Sequence, residues 1–436
     1  MLYCGAGEKN ITPGIGMGIP GYFGNRKNTG VTDELFAKAL VFEKDGTACA
    51  IVVCDTINLE RQDVLRIRKG ISERIPIDPE NISVSATHTH TGGPTWEGFN
   101  IVLRDYAYID MLTGAAVDAA CDAYNKRKPA RIGFNTDELK GYTHIRRFWM
   151  KDGRVLTNPG MDNPDIVKPE GEPDYTLTYA RIEGPDGEVI AFLTSYGVHL
   201  DTVGGDKVSA DYPGVLSKLI KEKYGENTVC VFLTGPCGNT NHVDVKRPET
   251  LEYGIHIKTG EAIFQKIRDG EHDIKFMEDP EISVDTKRFL IRFNRPDEGQ
   301  LRWARNVLDG KPAETDGYEV SSPERMRIFA KAIIDASESR EQVSEVELKA
   351  IHIGDALIVS WPGEIFVDFG IELRKRLSGR HVIIGELSNG CIQNYIPTFE
   401  AYERGGYEPR ICCATNPEKN TGNLVLKNTL EMLKII

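Results

Sequence analysis

The chain has 436 residues, of which 40% are hydrophobic and 27% are charged, and its formal net charge is −12. This composition predicts a globular protein with a sizeable core, and the acidic balance argues against nucleic acid or an anionic membrane as its main partner. No apolar run approaches the ~20 residues that a membrane span needs, and the first residues lack the basic and apolar regions of a secretory signal.

The nine cysteines are odd in number and irregularly spaced, and several lie inside apolar runs, such as Cys54 and Cys230. We expect most of them to be buried, reduced thiols, which is typical of a reducing compartment. Together with the absence of a visible signal, this predicts a cytoplasmic protein, or a secreted one if a leader has been removed.

Strands and helices alternate along the chain, as its hydrophobic periodicity indicates. The first half is predicted to contain strands at 35–43 and 48–59, a helix at 62–75, a strand at 81–87, a helix at 106–126, a polar loop at 151–175 and a strand pair over 175–197. The second half is predicted to contain a helix at 212–225, a strand at 228–235, a helix at 250–270, a strand at 281–293, helices at 296–310 and 323–340, a hairpin over 345–363, a helix at 366–379, a strand at 381–390 and a helix at 424–436. Because no low-complexity linker or tandem repeat divides this order, we expect one α/β unit over residues 1–436, with mixed sheets flanked by helices, in one lobe or two.

Five apolar strands each run into a polar, mostly glycine-containing loop. The loops are HTHTGG, VHLDTVGG, PCGNTNHVD, WPGE and LSNGCIQNY. Reactive groups of α/β proteins commonly lie in loops beyond the carboxyl ends of strands, because the strands hold those loops in place. Four of the nine histidines fall in these loops, which predicts a site assembled from them: His88, His90, His199 and His242.

The HxH pair of His88 and His90 is the first candidate. Residues two apart on an extended segment face the same side, so the pair suits two metal contacts, or one contact and a neighbouring acid or base. The alternative is a pair of ordinary polar loop histidines.

The positions of His199 and Glu364 after strands favour both residues as members of the site. Alone, His199 would more often be a structural histidine, and Glu364 could cap the helix that follows it. Two histidines and one glutamate are, however, a known catalytic zinc ligand set that leaves a position open for water. Iron and manganese also accept two histidines and a carboxylate.

Three further residues are candidates with open alternatives. Tyr395 is interpreted as a fourth ligand or a hydrogen-bond donor to an oxyanion, or else as a packing residue. Arg146 and Arg147 precede aromatic residues and are interpreted as binding a substrate carboxylate or carbonyl, or else as forming surface salt bridges.

Several blocks of the chain resemble one family. They are, in order, GAGEKNITPGIGMGIPGYFG, TGVTDELFAKALVFE, VSATHTHTGGP, SYGVHLDTVGGDKVSADYPG, SWPGEIFVDFGIELRKRL and GELSNGCIQNYIPTFEAYERGGYE. The blocks resemble the N-terminal catalytic domain of the neutral (alkaline, non-lysosomal) ceramidases, in the family's order and over nearly the whole chain.

The resemblance implies the fold of that catalytic domain and an amide hydrolase with zinc as its cofactor. It implies four zinc ligands: His88, His199, Glu364 and Tyr395. His90 is implied as a proton shuttle or transition-state donor, and Arg146 rather than Arg147 as the active-site arginine. The implied reaction is attack of a metal-activated water on an amide carbonyl, with the oxyanion stabilised by the metal, the tyrosine and the arginine.

Two departures from the family pattern limit the substrate. The family's essential serine is missing from PCGNTNHVD, where Thr240 or Asn241 stands near its position. We hypothesise that His242 replaces it as a donor or base, the alternative being a satisfied loop histidine, and a nucleophilic Cys237 is the least favoured reading. The family's C-terminal immunoglobulin-like domain has no counterpart here, so we expect a smaller or more polar amide than long-chain ceramide.

Three functions remain open from the sequence. The first is a zinc amidohydrolase acting on a small-molecule amide, without nucleic acid or stable membrane insertion. The second is a zinc esterase or deacylase on another acyl substrate. The third is a catalytically silent metal-binding homologue, against which the complete ligand set argues. Oligomeric state does not follow from the sequence.

Overall fold

A computed structural model describes residues 1–98, 101–311, 322–340, 342–392 and 394–435. Its strands are β1 (Tyr3–Asn10), β2 (Gly18–Ile19), β3 (Arg26–Lys27), β4 (Gly30–Val31), β5 (Phe36–Lys44), β6 (Thr47–Cys54), β7 (Ile82–Ala86), β8 (Lys128–Pro129), β9 (Arg131–Glu138), β10 (His144–Ile145), β11 (Arg147–Met150), β12 (Val155–Thr157), β13 (Ile166–Pro169), β14 (Thr176–Glu183), β15 (Val189–Tyr196), β16 (Lys207–Val208), β17 (Val229–Thr234), β18 (Thr240–Asn241), β19 (Lys275–Met277), β20 (Ile282–Arg292), β21 (Val343–Ile353), β22 (Ala356–Ser360), β23 (Glu364–Ile365), β24 (Val382–Gly385) and β25 (Tyr395–Ile396). Its α-helices are α1 (Arg61–Ser72), α2 (Tyr106–Asn125), α3 (Tyr212–Tyr224), α4 (Ile255–Asp269), α5 (Glu298–Leu308), α6 (Pro323–Glu338), α7 (Val367–Arg376), α8 (Phe399–Arg404) and α9 (Thr421–Met432).

Three larger sheets form the centre of the fold. The first has the order β7-β6-β5-β1-β8, the second β17-β15-β14-β9-β19 and the third β20-β21-β22-β24. One face of each sheet contributes to a common hydrophobic core, whose members include Leu40, Phe42, Ile51, Ile132, Ala180, Leu193, Val231, Ile351, Ile358 and Ile383. The mixed α/β architecture predicted from the sequence is therefore confirmed.

Helices cover the opposite face of each sheet. Helices α1 and α2 pack on the first sheet, α3 and α4 on the second, and α7 and α9 on the third. The strands β5, β6, β14 and β22 alternate between the common core and a helix-covered core, so both of their faces are apolar. This two-sided burial explains why these strands read as continuous hydrophobic runs in the sequence.

Each large sheet contains one parallel strand pair: β6 with β7, β15 with β17, and β22 with β24. The carboxyl ends of these pairs meet. The Thr234 hydroxyl donates to the Thr87 carbonyl at 2.6 Å, and the Glu386 amide donates to the Thr234 carbonyl at 2.8 Å. The five loops singled out from the sequence therefore follow strands whose ends converge from three different sheets.

One strand was not predicted and one predicted loop was wrong. No element was predicted over β1, which contains Gly5 and Gly7. A Cβ at Gly5 would lie 1.9 Å from the Ala123 carbonyl oxygen of α2, so this strand carries small residues to admit the helix above it. The predicted polar loop at 151–175 contains β12 and β13, which pair with β11.

Other elements agree with the sequence apart from their ends. The predicted C-terminal helix begins earlier than expected, at Thr421, and ends at Met432. Ile436, included in that prediction, and Gln393, included in the last family-like block, lie outside the described residues. No helix among the described residues is long and apolar enough to cross a membrane.

Candidate metal centre

His88 lies just beyond the end of β7, with its ring fixed by a backbone carbonyl. Its amide donates to the Thr56 carbonyl at 2.9 Å, and its Nδ1 lies 2.8 Å from the Ile57 carbonyl oxygen. A carbonyl accepts only, so Nδ1 carries the proton and Nε2 presents a lone pair. His88 has a φ of 73°, so the pairing of His88 with His90 does not arise from an extended segment, as the sequence interpretation assumed. The left-handed turn at His88 aims its ring instead.

His199 has a matching arrangement beyond the end of β15. Its Nδ1 faces the Cys237 carbonyl oxygen at 3.2 Å, which again leaves the lone pair on Nε2. The side chain is buried, with 1% exposed. The two Nε2 atoms of His88 and His199 are 3.3 Å apart. Two imidazole lone pairs facing each other at this distance repel unless a cation or proton lies between them.

Glu364 supplies the negative charge. Its Oε2 lies 3.3 Å from Nε2 of His88 and 3.2 Å from Nε2 of His199. That oxygen is buried without a hydrogen-bond donor, as expected if both Nε2 atoms are unprotonated. Burial alone would raise the pKa of Glu364, but positive charge at the two imidazoles, whether a proton or a metal ion supplies it, holds the pKa well below its ordinary range, so the carboxylate is ionised.

The three donor atoms have the spacing of a metal site. In a tetrahedral zinc site with bonds of about 2.0–2.1 Å, donor atoms lie about 3.3–3.4 Å apart. The observed separations of 3.2 to 3.3 Å match this value. The residues therefore fit a zinc ion, which would replace the missing donor to Glu364.

His90 lies at the edge of the same group. Its Nε2 is 3.4 Å from Nε2 of His88, and the ligand atoms of His88, His90 and His199 all lie within 4.8 Å of one another. The ring of Tyr22 packs against His90 at 5.2 Å between centroids. Burial, with the neighbouring imidazoles, lowers the pKa of His90 well below its ordinary value, so its ring is neutral. His90 can serve as a hydrogen-bonding neighbour or as a further nitrogen ligand.

Tyr395 and Arg146 complete one side of the site. The Tyr395 ring stacks on the His199 ring at 6.3 Å between centroids, and Arg146 lies over the tyrosine ring at 5.1 Å. Arg146 also donates to Glu408 and to the Gly238 carbonyl, both at 2.8 Å. Arg147 shares Glu408 with Arg146 and also pairs with Glu170. Both arginines are buried, so the surface salt-bridge alternative is wrong.

The loop that lacks the family serine offers a histidine and a carboxylate. His242 Nδ1 lies 3.3 Å from an Asp201 oxygen, and Asp201 stands two residues after His199. Burial opposes ionisation of Asp201, but His242 and the site histidines hold its pKa well below the usual value. Asn241 donates its amide group to Asn158 at 2.9 Å.

The surroundings of Cys237 do not favour a nucleophilic thiolate. Its thiol donates to Glu386 at 2.9 Å, and burial raises its pKa well above the ordinary value. Glu386 was missed in the sequence. Its carboxylate also accepts the amides of Cys237 at 3.1 Å and Ile365 at 3.0 Å, so it ties the His199-supporting loop to the Glu364 loop. Burial raises the pKa of Glu386 to about 8.

Comparison with solved structures identifies the fold. Neutral ceramidase from Pseudomonas aeruginosa matches with a TM-score of 0.73 and 17% sequence identity, over 99% of this chain and 74% of that chain. A ceramidase complexed with C2 matches with the same TM-score and 16% identity, over 99% of this chain and 74% of the other. The chain thus has the neutral ceramidase fold, as the resemblance of its sequence blocks predicted. No family model matches the sequence, and a search of curated proteins also finds no match.

Proposed function

We propose that this protein is a zinc-dependent hydrolase that cleaves the amide bond of a small N-acyl substrate. The observation that carries the proposal is the buried Glu364 oxygen, which has no donor and lies 3.2 and 3.3 Å from two imidazole lone pairs. A silent protein has no physical reason to hold three such acceptors together, because their repulsion costs free energy without a cation.

Different residues of the chain are proposed to have different roles in the reaction. The proposed ligands are His88, His199, Glu364 and Tyr395. Zinc in such a site supplies a Lewis acid and a water of lowered pKa. We assign His90, which is neutral and lies at the edge of the ligand group, the role of donating to or accepting from the reacting atoms. Arg146, held by Glu408, keeps a positive charge beside Tyr395, where an oxyanion would be stabilised.

The amide specificity is inferred from the fold. The two solved structures that share it are ceramidases by name, and ceramidases hydrolyse the amide bond of ceramide. An ester or another acyl group presents a similar carbonyl, so the residues of the centre alone do not separate amides from esters.

The test is a pair of substrates with the same acyl group, one an N-acyl amide and the other an ester. We expect the zinc-loaded protein to cleave the amide, to stop after chelation and to recover when zinc is returned. Cleavage of the ester alone would assign the esterase function, and cleavage of neither across acyl lengths would favour the silent homologue.

His242 is proposed as the donor or base that stands in for the missing serine, with Asp201 orienting its ring. Replacing His242 by alanine is expected to lower kcat by about 10²-fold, the usual contribution of a positioned acid or base. His352→Ala is the matched control, because His352 also bonds an aspartate, Asp285, at 3.0 Å. Steady-state rates over a range of pH provide the measurement. If His242→Ala turns over as fast as the control, His242 is an ordinary loop residue.

A further inference from the structure

Two adjacent cysteines, Cys412 and Cys413, lie on the wall of a cavity of about 280 Å³. All nine cysteines fall within the described residues and are free thiols. The side chains of Cys412 and Cys413 interact with each other. The interaction with Cys412, together with the hydrogen bond from Asn394, lowers the pKa of Cys413 to about 7. Each of the other eight cysteines has its pKa raised. Cys413 therefore has the greatest thiolate character, which is the reactive form.

The pair is connected to the metal centre through Asn394. The Cys412 thiol donates to the Asn394 side-chain oxygen at 3.2 Å, and the Asn394 amide group donates to the Cys413 sulfur at 3.3 Å. The same side-chain oxygen accepts the Tyr395 amide at 2.8 Å, and the Asn394 backbone oxygen accepts the Glu364 amide at 3.0 Å. One asparagine thus contacts both thiols and the backbones of two proposed ligands.

The cavity has an acidic lining. Among the described residues that line it, Glu60, Glu97 and Asp335 carry negative charge and Lys331 carries positive charge. Glu60 is paired with Arg104 at 2.9 Å, and the balance stays negative when it is discounted. Such a cavity attracts a cationic molecule and repels an anionic one.

We propose that Cys412 and Cys413 are a redox-active dithiol that is oxidised by small, positively charged disulfides entering this cavity. The Cys413 thiolate attacks one sulfur of the disulfide, forms a mixed disulfide and releases the first thiolate. Cys412 then attacks the Cys413 sulfur, giving a disulfide between the adjacent cysteines and releasing the second thiolate. The protein pair loses two electrons, the small disulfide gains them, and the two thiol protons pass to the released thiols.

The oxidised pair is readily reversed. Adjacent Cα atoms are about 3.8 Å apart, below the usual range of about 4.4–6.8 Å for a disulfide. The bond is therefore strained and easily reduced by a thiol. Oxidation also removes the hydrogen bond that the Cys412 thiol donates to Asn394. Asn394 then holds the backbones of Glu364 and Tyr395 less firmly. This last consequence rests on the proposed function.

The experiment treats the folded, zinc-loaded protein with cystamine, a cationic disulfide, and separately with glutathione disulfide, an anionic one. Intact mass and peptide mapping follow the thiols. We expect two thiols lost per chain at residues 412 and 413, recovery with dithiothreitol, and a rate with cystamine at least about 10-fold above that with glutathione disulfide. Cys412→Ser should stop at one cysteamine adduct on Cys413, Cys413→Ser should leave Cys412 unmodified, and Cys391→Ser should behave as the wild type.

Distinct outcomes overturn distinct parts. Modification that persists at Cys412 in Cys413→Ser, or mapping to another cysteine, overturns the dithiol, and equal rates with both disulfides overturn the cationic preference. Faster loss of zinc to a chelator after oxidation is expected, and an unchanged rate overturns the link to the metal centre. A protein that binds no zinc but still forms the disulfide would contradict the proposed function and leave the dithiol standing.

Discussion

Replacing His88 by alanine is expected to remove the metal from the protein and to lower turnover by at least about 10³-fold. His88 supplies one of three donor atoms held 3.2 to 3.3 Å apart, so its loss breaks the ligand set. Lewis-acid stabilisation of a transition state is worth several kcal/mol, and about 4 kcal/mol corresponds to about 10³-fold in rate. The measurement is elemental analysis of the purified protein beside kcat/KM on the N-acyl substrate, where the wild type should hold about one zinc per chain.

Companion variants separate the roles of the residues. Glu364→Ala should lose the metal like His88→Ala, whereas His90→Ala should retain it and still turn over slowly if His90 is a proton donor. Loss of zinc from His90→Ala would reassign that residue as a ligand. His352→Ala should keep both metal and activity. A wild-type protein that takes up no zinc when zinc is supplied would end the metal mechanism and leave the ceramidase likeness as one of fold alone.

Replacing Glu408 by alanine is expected to reduce the free energy of unfolding by about 3–5 kcal/mol. The buried Glu408 carboxylate accepts from Arg146 at 2.8 Å, from Arg147 at 2.6 Å and from Thr157 at 2.9 Å. Removing the carboxylate that two buried cations share is costly, because Arg146 loses its ion pair while it stays desolvated, and Arg147 is left with Glu170. Urea unfolding measures the change, and Arg146 should also lose its position beside Tyr395, lowering turnover.

The control for this variant is Glu249→Ala, which removes an exposed ion pair with Arg247 and should cost about 0–1 kcal/mol. Stability should also depend on pH in a defined direction. Burial opposes ionisation of Glu408, but the two arginines lower its pKa below the ordinary value. Its stabilisation is therefore present above the unfolded pKa of about 4.3 and is lost as the pH falls through the lower folded pKa. A loss below about 1 kcal/mol in Glu408→Ala would show that the arginines find other partners.

The sequence predicted the part of the site that depends on local pattern. Apolar strands followed by polar loops marked His88, His199 and Glu364, and the three side chains converge as expected. The sequence interpretation placed His88 and His90 on an extended segment, and this was wrong. His88 has a backbone φ of 73°, which the THTH pattern does not predict. The His88 amide in this conformation donates to the Thr56 carbonyl, a contact between distant segments that the local pattern does not show.

The supporting residues were less visible. Glu386 directly follows the apolar run HVIIG, much as Glu364 follows a strand and a turn. A carboxylate at the end of a buried strand was the signal by which the sequence could have identified Glu386. Asn394 and Asp201 gave no such signal, because the contacts of Asn394 with the two thiols and of Asp201 with His242 join residues that are distant in sequence. The strand β1 was hidden for a related reason: its glycines are selected by the approach of α2, not by strand propensity.

The meeting of three sheets at one point has a consequence for the order of events in folding. The candidate ligands lie on loops that are far apart along the chain, and each loop is fixed only when its own sheet has formed. A partly folded chain would hold these donors singly, and a single imidazole or carboxylate binds zinc weakly. The centre therefore assembles late, after the costly closure of long loops, and capture of the ion reports that all three sheets have docked.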